Sequence, residues 1–346
     1  MNRDPVSVQR IQWNRVCPGL LLLKAPAAAL SVQALIPALC CLLICSAGRM
    51  VLAHLLGEPA NPDAISSPDR VGDWTNSIRQ WLPAPLQTIL DSAWSLLVRP
   101  TSDPVRNALA LVWHAAVVGL TGVAVARSTA ASVCRQNRLG VIPSVQFSAK
   151  NCGTLLTSTT IAAAFVAGLL LICHIARWTR DVAAVGELIV SIALPLVLLA
   201  VLCLEITAML CLTGWFLALA AIGTDQCDGS DALSRGISYV VSHPIAALCC
   251  ALATACLMAA FGLAAEFVFH AADAVLNGIF TGISWQSKIA EQVTDFWRRI
   301  WERIPEAYRL AIFYCGTTIT YLVLRHREDG ISLDEMDGGQ PGNATV

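Results

Sequence analysis

Six long apolar stretches separated by polar connectors organise this chain: residues 25–47, 108–126, 154–175, 182–222, 245–269 and 307–324. Crossing a hydrocarbon layer takes about 20 mostly apolar residues in a helix, and in lipid each backbone amide must find its partner within its own segment. The pattern therefore predicts an all-α, polytopic helical membrane protein with about six transmembrane helices. The fourth stretch is long enough, at 1.5 Å per residue, to reach roughly 60 Å, about twice the hydrocarbon thickness. A hairpin inside it would need turn residues near its middle, where Pro195 and the polar patch at 205–207 are the candidates. Two crossings there would also send Arg325 and Arg327 to the opposite side from the basic N-terminus. One long helix kinked at Pro195 is the expectation.

The connectors carry a second pattern. In the later one Trp285, Ile289, Val293, Phe296, Ile300 and Ile304 recur at helical spacing among charged neighbours, predicting a helix that lies in the membrane surface. The earlier one, from Trp74 through Trp81 to Leu97, is similar but is read as broken by Pro83 and Pro85. On the other side, short polar segments at 6–16, 144–150 and 231–242 precede the odd-numbered spans. The expected architecture is three copies of a surface helix and a helix pair, with residues 57–104 as an insertion in the first copy.

Composition agrees with the membrane reading: 56% of residues are hydrophobic and 14% charged, against about 25% charged in an ordinary soluble domain. The apolar runs leave no room for a soluble catalytic domain, and a net charge of −1 argues against nucleic acid, whose phosphates require basic clusters. Of the 14 cysteines, many lie inside spans, where Cys behaves as a small hydrophobe. They lack the paired spacing of a zinc site. The first apolar run is too long and starts too late for a cleaved signal peptide, so it reads as a retained helix. Arg127, Arg135, Arg138 and Lys150 crowd one short connector without an acidic residue, which places it in the cytoplasm. With six crossings, residues 1–24 and the acidic tail 325–346 share that side, flanking a single membrane domain at 25–324.

Ionisable groups at membrane depth are functional candidates, because placing them there is costly unless they are paired or hydrated. Glu205 is the leading one, a proton-coupling candidate surrounded by Leu202, Cys203, Leu204 and Ile206. His114, Glu187, Glu266 and His270 are weaker. Glu266 and His270 stand four apart on one helix face, a spacing that suits a proton relay or two metal ligands but does not complete a site. In the inner loop, Asp225, Asp228 and Asp231 recur every three residues. The order of a calcium loop is lacking, so the preferred reading is a helix start, with Asp228 or Ser230 as cap and Asp231 pairing with Arg235 at i,i+4. Together with Arg135 and Arg138 these form the inner-loop interaction candidates. The zinc-protease, nucleophile-elbow and phosphate-loop motifs are lacking, and no metal, cofactor or catalytic residue is assigned.

Three passages resemble an uncharacterised family of polytopic membrane proteins typical of planctomycete bacteria. They are Gly122-Val-Ala-Val-Ala-Arg127 with Arg138-Leu-Gly and Phe147-Ser-Ala-Lys150; Gly214-Trp215 with Gly223-Thr-Asp225 and Asp231-Ala-Leu-Ser-Arg-Gly-Ile-Ser-Tyr239; and Tyr321-Leu-Val-Leu-Arg325 with Asp329-Gly330 and Leu333-Asp-Glu335. The resemblance implies a bacterial inner-membrane protein with these motifs facing the cytoplasm, and carries no activity. The chain departs from that pattern at Cys227 and at His243-Pro244. The expectation is a non-enzymatic scaffold or accessory component whose partners are the lipid bilayer and other membrane proteins. The alternatives are a proton-coupled transporter of a small or amphiphilic substrate, using Glu205, and a lipid-modifying enzyme using Glu266 and His270. The acidic tail is a candidate to fold back on Arg135 and Arg138.

Overall fold

The computed structural model describes residues 18–56, 82–98, 104–134, 139–180, 183–280 and 288–330. Among them there are ten α-helices and one 3-10 helix, and no strand. The 3-10 helix spans Pro18–Lys24; the α-helices are α1 Ala25–Ala29, α2 Val32–Leu55, α3 Ala84–Val98, α4 Pro104–Val133, α5 Val141–Lys150, α6 Cys152–Arg180, α7 Ala183–Asp225, α8 Gly229–Ser242, α9 Pro244–Phe280 and α10 Lys288–Asp329. Among the described residues five stretches, in α2, α4, α7, α9 and α10, are long and apolar enough to cross a membrane. The 29-residue α6 occupies the place of the expected third span, with Cys152–Gly168 as a shorter apolar helix.

Element order matches the second and third copies of the expected pattern, while the surface segment of the first copy lies outside the described residues. Helices α5 and α8 each precede a pair, α6–α7 and α9–α10, and α3 falls within the insertion between α2 and α4. The second members of the pairs run parallel to one another. Gly122 of α4 faces Leu219 of α7, and four residues further along both helices Ala126 faces Gly223. Tyr314 of α10 donates a hydrogen bond to the Val118 carbonyl at 3.0 Å. Antiparallel contacts join α9 to α10, where Gly316 meets Thr254 and Gly262 meets Arg309.

At the centre stands α10. Of its most apolar stretch 83% is buried, against 12% in α7, and Leu310, Ile312, Ile319, Tyr321 and Leu324 are fully enclosed. A helix wrapped by protein need not be uniformly apolar, so α10 carries Thr317 and Thr318, whose hydroxyls donate to the Phe313 and Tyr314 carbonyls.

Several expected boundaries change. The first span does not begin at 25: α1 is a separate short helix packed through Ala25 and Ala29, and the long helix starts at Val32 after extended Ser31. Of the expected stretch 182–222, the described residues 183–222 fall within one helix continuous through Pro195. The amphipathic segment at 288–304 is not separate from the last span; Lys288–Asp329 is one 42-residue helix with Pro305 inside it. Its apolar face is open, with Ile289, Val293, Phe296 and Trp297 exposed. Helix α3 starts at Ala84, between Pro83 and Pro85, where a proline lacks no needed N–H, and the connector before residue 82 lies outside the described residues. Trp285, Trp74 and segment 6–16 lie outside the described residues.

Candidate functional site

The densest polar chemistry gathers where α7, α8 and α10 end or turn. Helix α7 stops at Asp225 because Gln226 takes a left-handed φ of 55°, a conformation that ends helices and is tolerated by short polar side chains better than by bulky ones. Asp228 is extended, and α8 starts at Gly229. This three-residue turn folds α8 back along α7. Gly236 lies against the backbone carbonyl of Gly214, and a Cβ at Gly229 would overlap the Thr154 carbonyl of α6. Small residues let helix backbones approach in this way. The expected surface helix is therefore a packed one, burying Ala232, Leu233 and Tyr239 against protein.

Asp225 is held from two sides. Its Oδ1 accepts from Arg325 at 2.5 Å and its Oδ2 from the Tyr321 hydroxyl at 2.7 Å. Arg235 of α8 approaches the same carboxylate at 3.8 Å, and its guanidinium is bound to Asp231 at 2.9 and 3.1 Å. Beyond Arg325, Asp329 accepts from Tyr239 at 2.8 Å. The rings of Tyr239 and Tyr321 lie 5.7 Å apart. Glu328 meets His243 at 2.9 Å and accepts from Ser242 at 3.4 Å. The network ties the ends of three helices together with alternating charge.

Its electrostatics follow from burial. The Tyr239 phenol is pushed well above its usual range, by burial first and then by the Asp329 carboxylate that accepts its proton. Asp231 holds the Arg235 guanidinium more firmly protonated. The Cys227 thiol is pushed up to about 11 by burial and by the carboxylate of Asp225, against a smaller opposing pull from Arg235. Raising an acid's pKa removes its anion at neutral pH, and the thiolate is the reactive form. Maleimide labelling of Cys227, followed by peptide mass spectrometry, is thus expected to climb about tenfold per pH unit from pH 8 to 10 without levelling off, whereas an ordinary thiol with a pKa of about 8.5 levels off near pH 9. A plateau at pH 9 would contradict the assignment.

Of the residues expected from sequence, Asp225, Asp231 and Arg235 come together here, and the Asp231–Arg235 pair forms as anticipated. Asp228 occupies the capping position but its side chain makes no cap bond. The three aspartates form no common cation site, because Asp225 turns to Arg325 and Asp231 to Arg235. Arg135 and Arg138 lie outside the described residues, as does the tail beyond Gly330; the first acidic residues after the last span, Glu328 and Asp329, bind His243 and Tyr239.

The membrane-depth candidates scatter. Glu205 is exposed on the flank of α7. His114 is enclosed in the bundle, with Nδ1 at 2.7 Å from the Ala110 carbonyl. Glu187 lies on α7, but its side chain is outside the described residues. Glu266 and His270 do not act as a pair: Glu266 is ion-paired with Arg309 of α10 while His270 is exposed. Among the described residues no group of three or more His, Cys, Asp or Glu side chains could hold a metal. No family model, curated protein or solved structure matches the chain.

Sequence reasoning missed Arg309, Tyr321, Arg325 and Tyr239 as partners. One signal was legible, since a lone Arg near the start of an apolar run, as at Arg309, demands a counter-charge. Which carboxylate supplies it depends on how α9 and α10 pack.

Proposed function

We propose that this multi-pass helical membrane protein is a non-enzymatic scaffold or accessory component of a bacterial inner membrane, with both chain ends cytoplasmic. The observation that carries the reading is where its charged side chains are used. Asp225, Arg235, Arg325 and Asp329 bond to one another or to tyrosines at helix ends, and Glu266 joins α9 to α10 through Arg309. Such groups fix how helices dock. A transporter would bring polar groups together at a midplane cavity, whereas Glu205 faces outward and His114 inward on different helices. The basic connector with Arg127 and Lys150 supports the orientation, as does the resemblance to planctomycete membrane proteins.

Crosslinking in native membranes, followed by identification of neighbours, is expected to recover recurrent protein partners. In proteoliposomes with an imposed pH gradient, wild-type protein and Glu205→Gln are expected to leak protons at the same rate as empty vesicles. Flux in the wild type that Glu205→Gln abolishes would sink the scaffold reading in favour of proton coupling.

A further inference from the structure

A cavity of about 630 Å³ opens at the same end of the bundle as the polar network, within the ~300–1,000 Å³ that binding sites for small molecules and cofactors occupy. Its walls are apolar: Leu22 of the 3-10 helix, Ile245, Ala246 and Ala253 of α9, and Val323 of α10. Ile245, Leu248 and Leu252 continue α9 outward as exposed apolar surface, so the cavity is a side groove open to the face that the membrane reading assigns to lipid. The mouth is different. Ser242, His243 and Arg327 line it, and Arg327 is exposed. The neighbouring acids are already engaged, Glu328 by His243 and Ser242 and Asp329 by Tyr239 and Arg325. That leaves Arg327 as a cation with no acidic partner among the described residues.

We propose that this groove binds one anionic phospholipid, an acyl chain lying along α9 and α10 and the phosphate against Arg327. The inference rests on the scaffold reading above and names a lipid as one of its partners. An apolar trough beneath a cation at helix ends is the arrangement that selects anionic headgroups, since the chain region is satisfied by burial and the phosphate by charge. Arg is suited to the task because its planar donors match phosphate oxygens.

The test uses the full-length protein, purified in mild detergent and equilibrated with equimolar phosphatidylglycerol and phosphatidylcholine before native mass spectrometry. One retained phosphatidylglycerol, in preference to phosphatidylcholine, is the expected result. Arg327→Gln should lower that retention about five-fold, the worth of one interfacial cation, and Ala253→Trp should remove both lipids by filling the groove. Lys150→Gln, a change of the same charge outside the groove, should leave retention unaltered. Equal retention of the two lipids, or retention indifferent to Arg327→Gln, would overturn the proposal. A photo-crosslinking residue in place of Ala253 provides a second arm that does not depend on stability: capture of phosphatidylglycerol supports it, and capture of the chain's own residues 1–17 overturns it. Because lipid retention is read without partner proteins or a proton gradient, its failure is distinguishable from failure of the scaffold reading.

Discussion

Replacing Asp225 with Ala is expected to cost about 3 kcal/mol of stability, at the low end of the ~3–5 kcal/mol for leaving one half of a buried ion pair alone. The cause is what remains behind. Arg325 is only 18% exposed at its side chain and Asp225 9%, so the guanidinium cannot regain full hydration when its partner goes. The Tyr321 hydroxyl, on a fully enclosed side chain, loses its acceptor as well. Thermal unfolding in mild detergent, read by a thiol-reactive dye, would report the change through Cys315, which is fully enclosed in the folded protein. The decisive version is a double-mutant cycle. Asp225→Leu with Arg325→Met removes both charges and should be markedly less harmful than the sum of the single changes, with a coupling of about 1–3 kcal/mol. Additivity within about 0.5 kcal/mol would mean that the pair contributes little to holding α7 against α10.

The second large effect concerns a helical glycine whose substitution should act against helix propensity. Changing Gly236 to Ala would ordinarily favour a helix by about 1 kcal/mol. Here the added methyl would overlap the backbone carbonyl of Gly214, and a backbone cannot swing aside as a side chain does. We expect a loss of about 1–3 kcal/mol from overpacking, accompanied by weaker contacts from Arg235 to Asp225 and from Tyr239 to Asp329, because both residues ride on α8. Gly168 of α6, where an added methyl would meet nothing within 4 Å, is the control: Gly168→Ala should be neutral or mildly stabilising. If both substitutions stabilise alike, α8 is not packed on α7 as described.

How much of this was legible in the sequence differs by level. The apolar runs near 108–126, 154–175 and 245–269 lie within helices because a 20-residue apolar stretch has few other ways to satisfy its backbone. Asp231 and Arg235 paired as anticipated because an i,i+4 contact is set by helix geometry alone. The junction at Pro305 was misjudged for an instructive reason. A charged amphipathic stretch followed by proline and an apolar run looks like two elements, yet a proline inside a long helix costs a hydrogen bond that surrounding contacts can offset, and Pro305 is buried in the bundle. Glu205, the sequence's leading candidate, drew attention through its apolar neighbours along the chain. Neighbours in sequence do not reveal whether a side chain faces the core or the outside, and Glu205 faces outside.

The sequence by itself determined the helical class, the apolar lengths that suit a membrane, the order of a surface helix before each of the last two helix pairs and the local pairs within a helix, because hydrophobic length and helical periodicity act over a few turns. Tertiary structure alone decided that α10 is the enclosed central helix, that α8 folds back on α7, and that Asp225 shares one set of bonds with Tyr321 and Arg325, which lie 96 and 100 residues further along the chain. Those outcomes depend on which faces of distant helices meet. Bare glycine backbones and buried charges settle that choice by close approach and by mutual neutralisation, and both become visible once the helices are side by side.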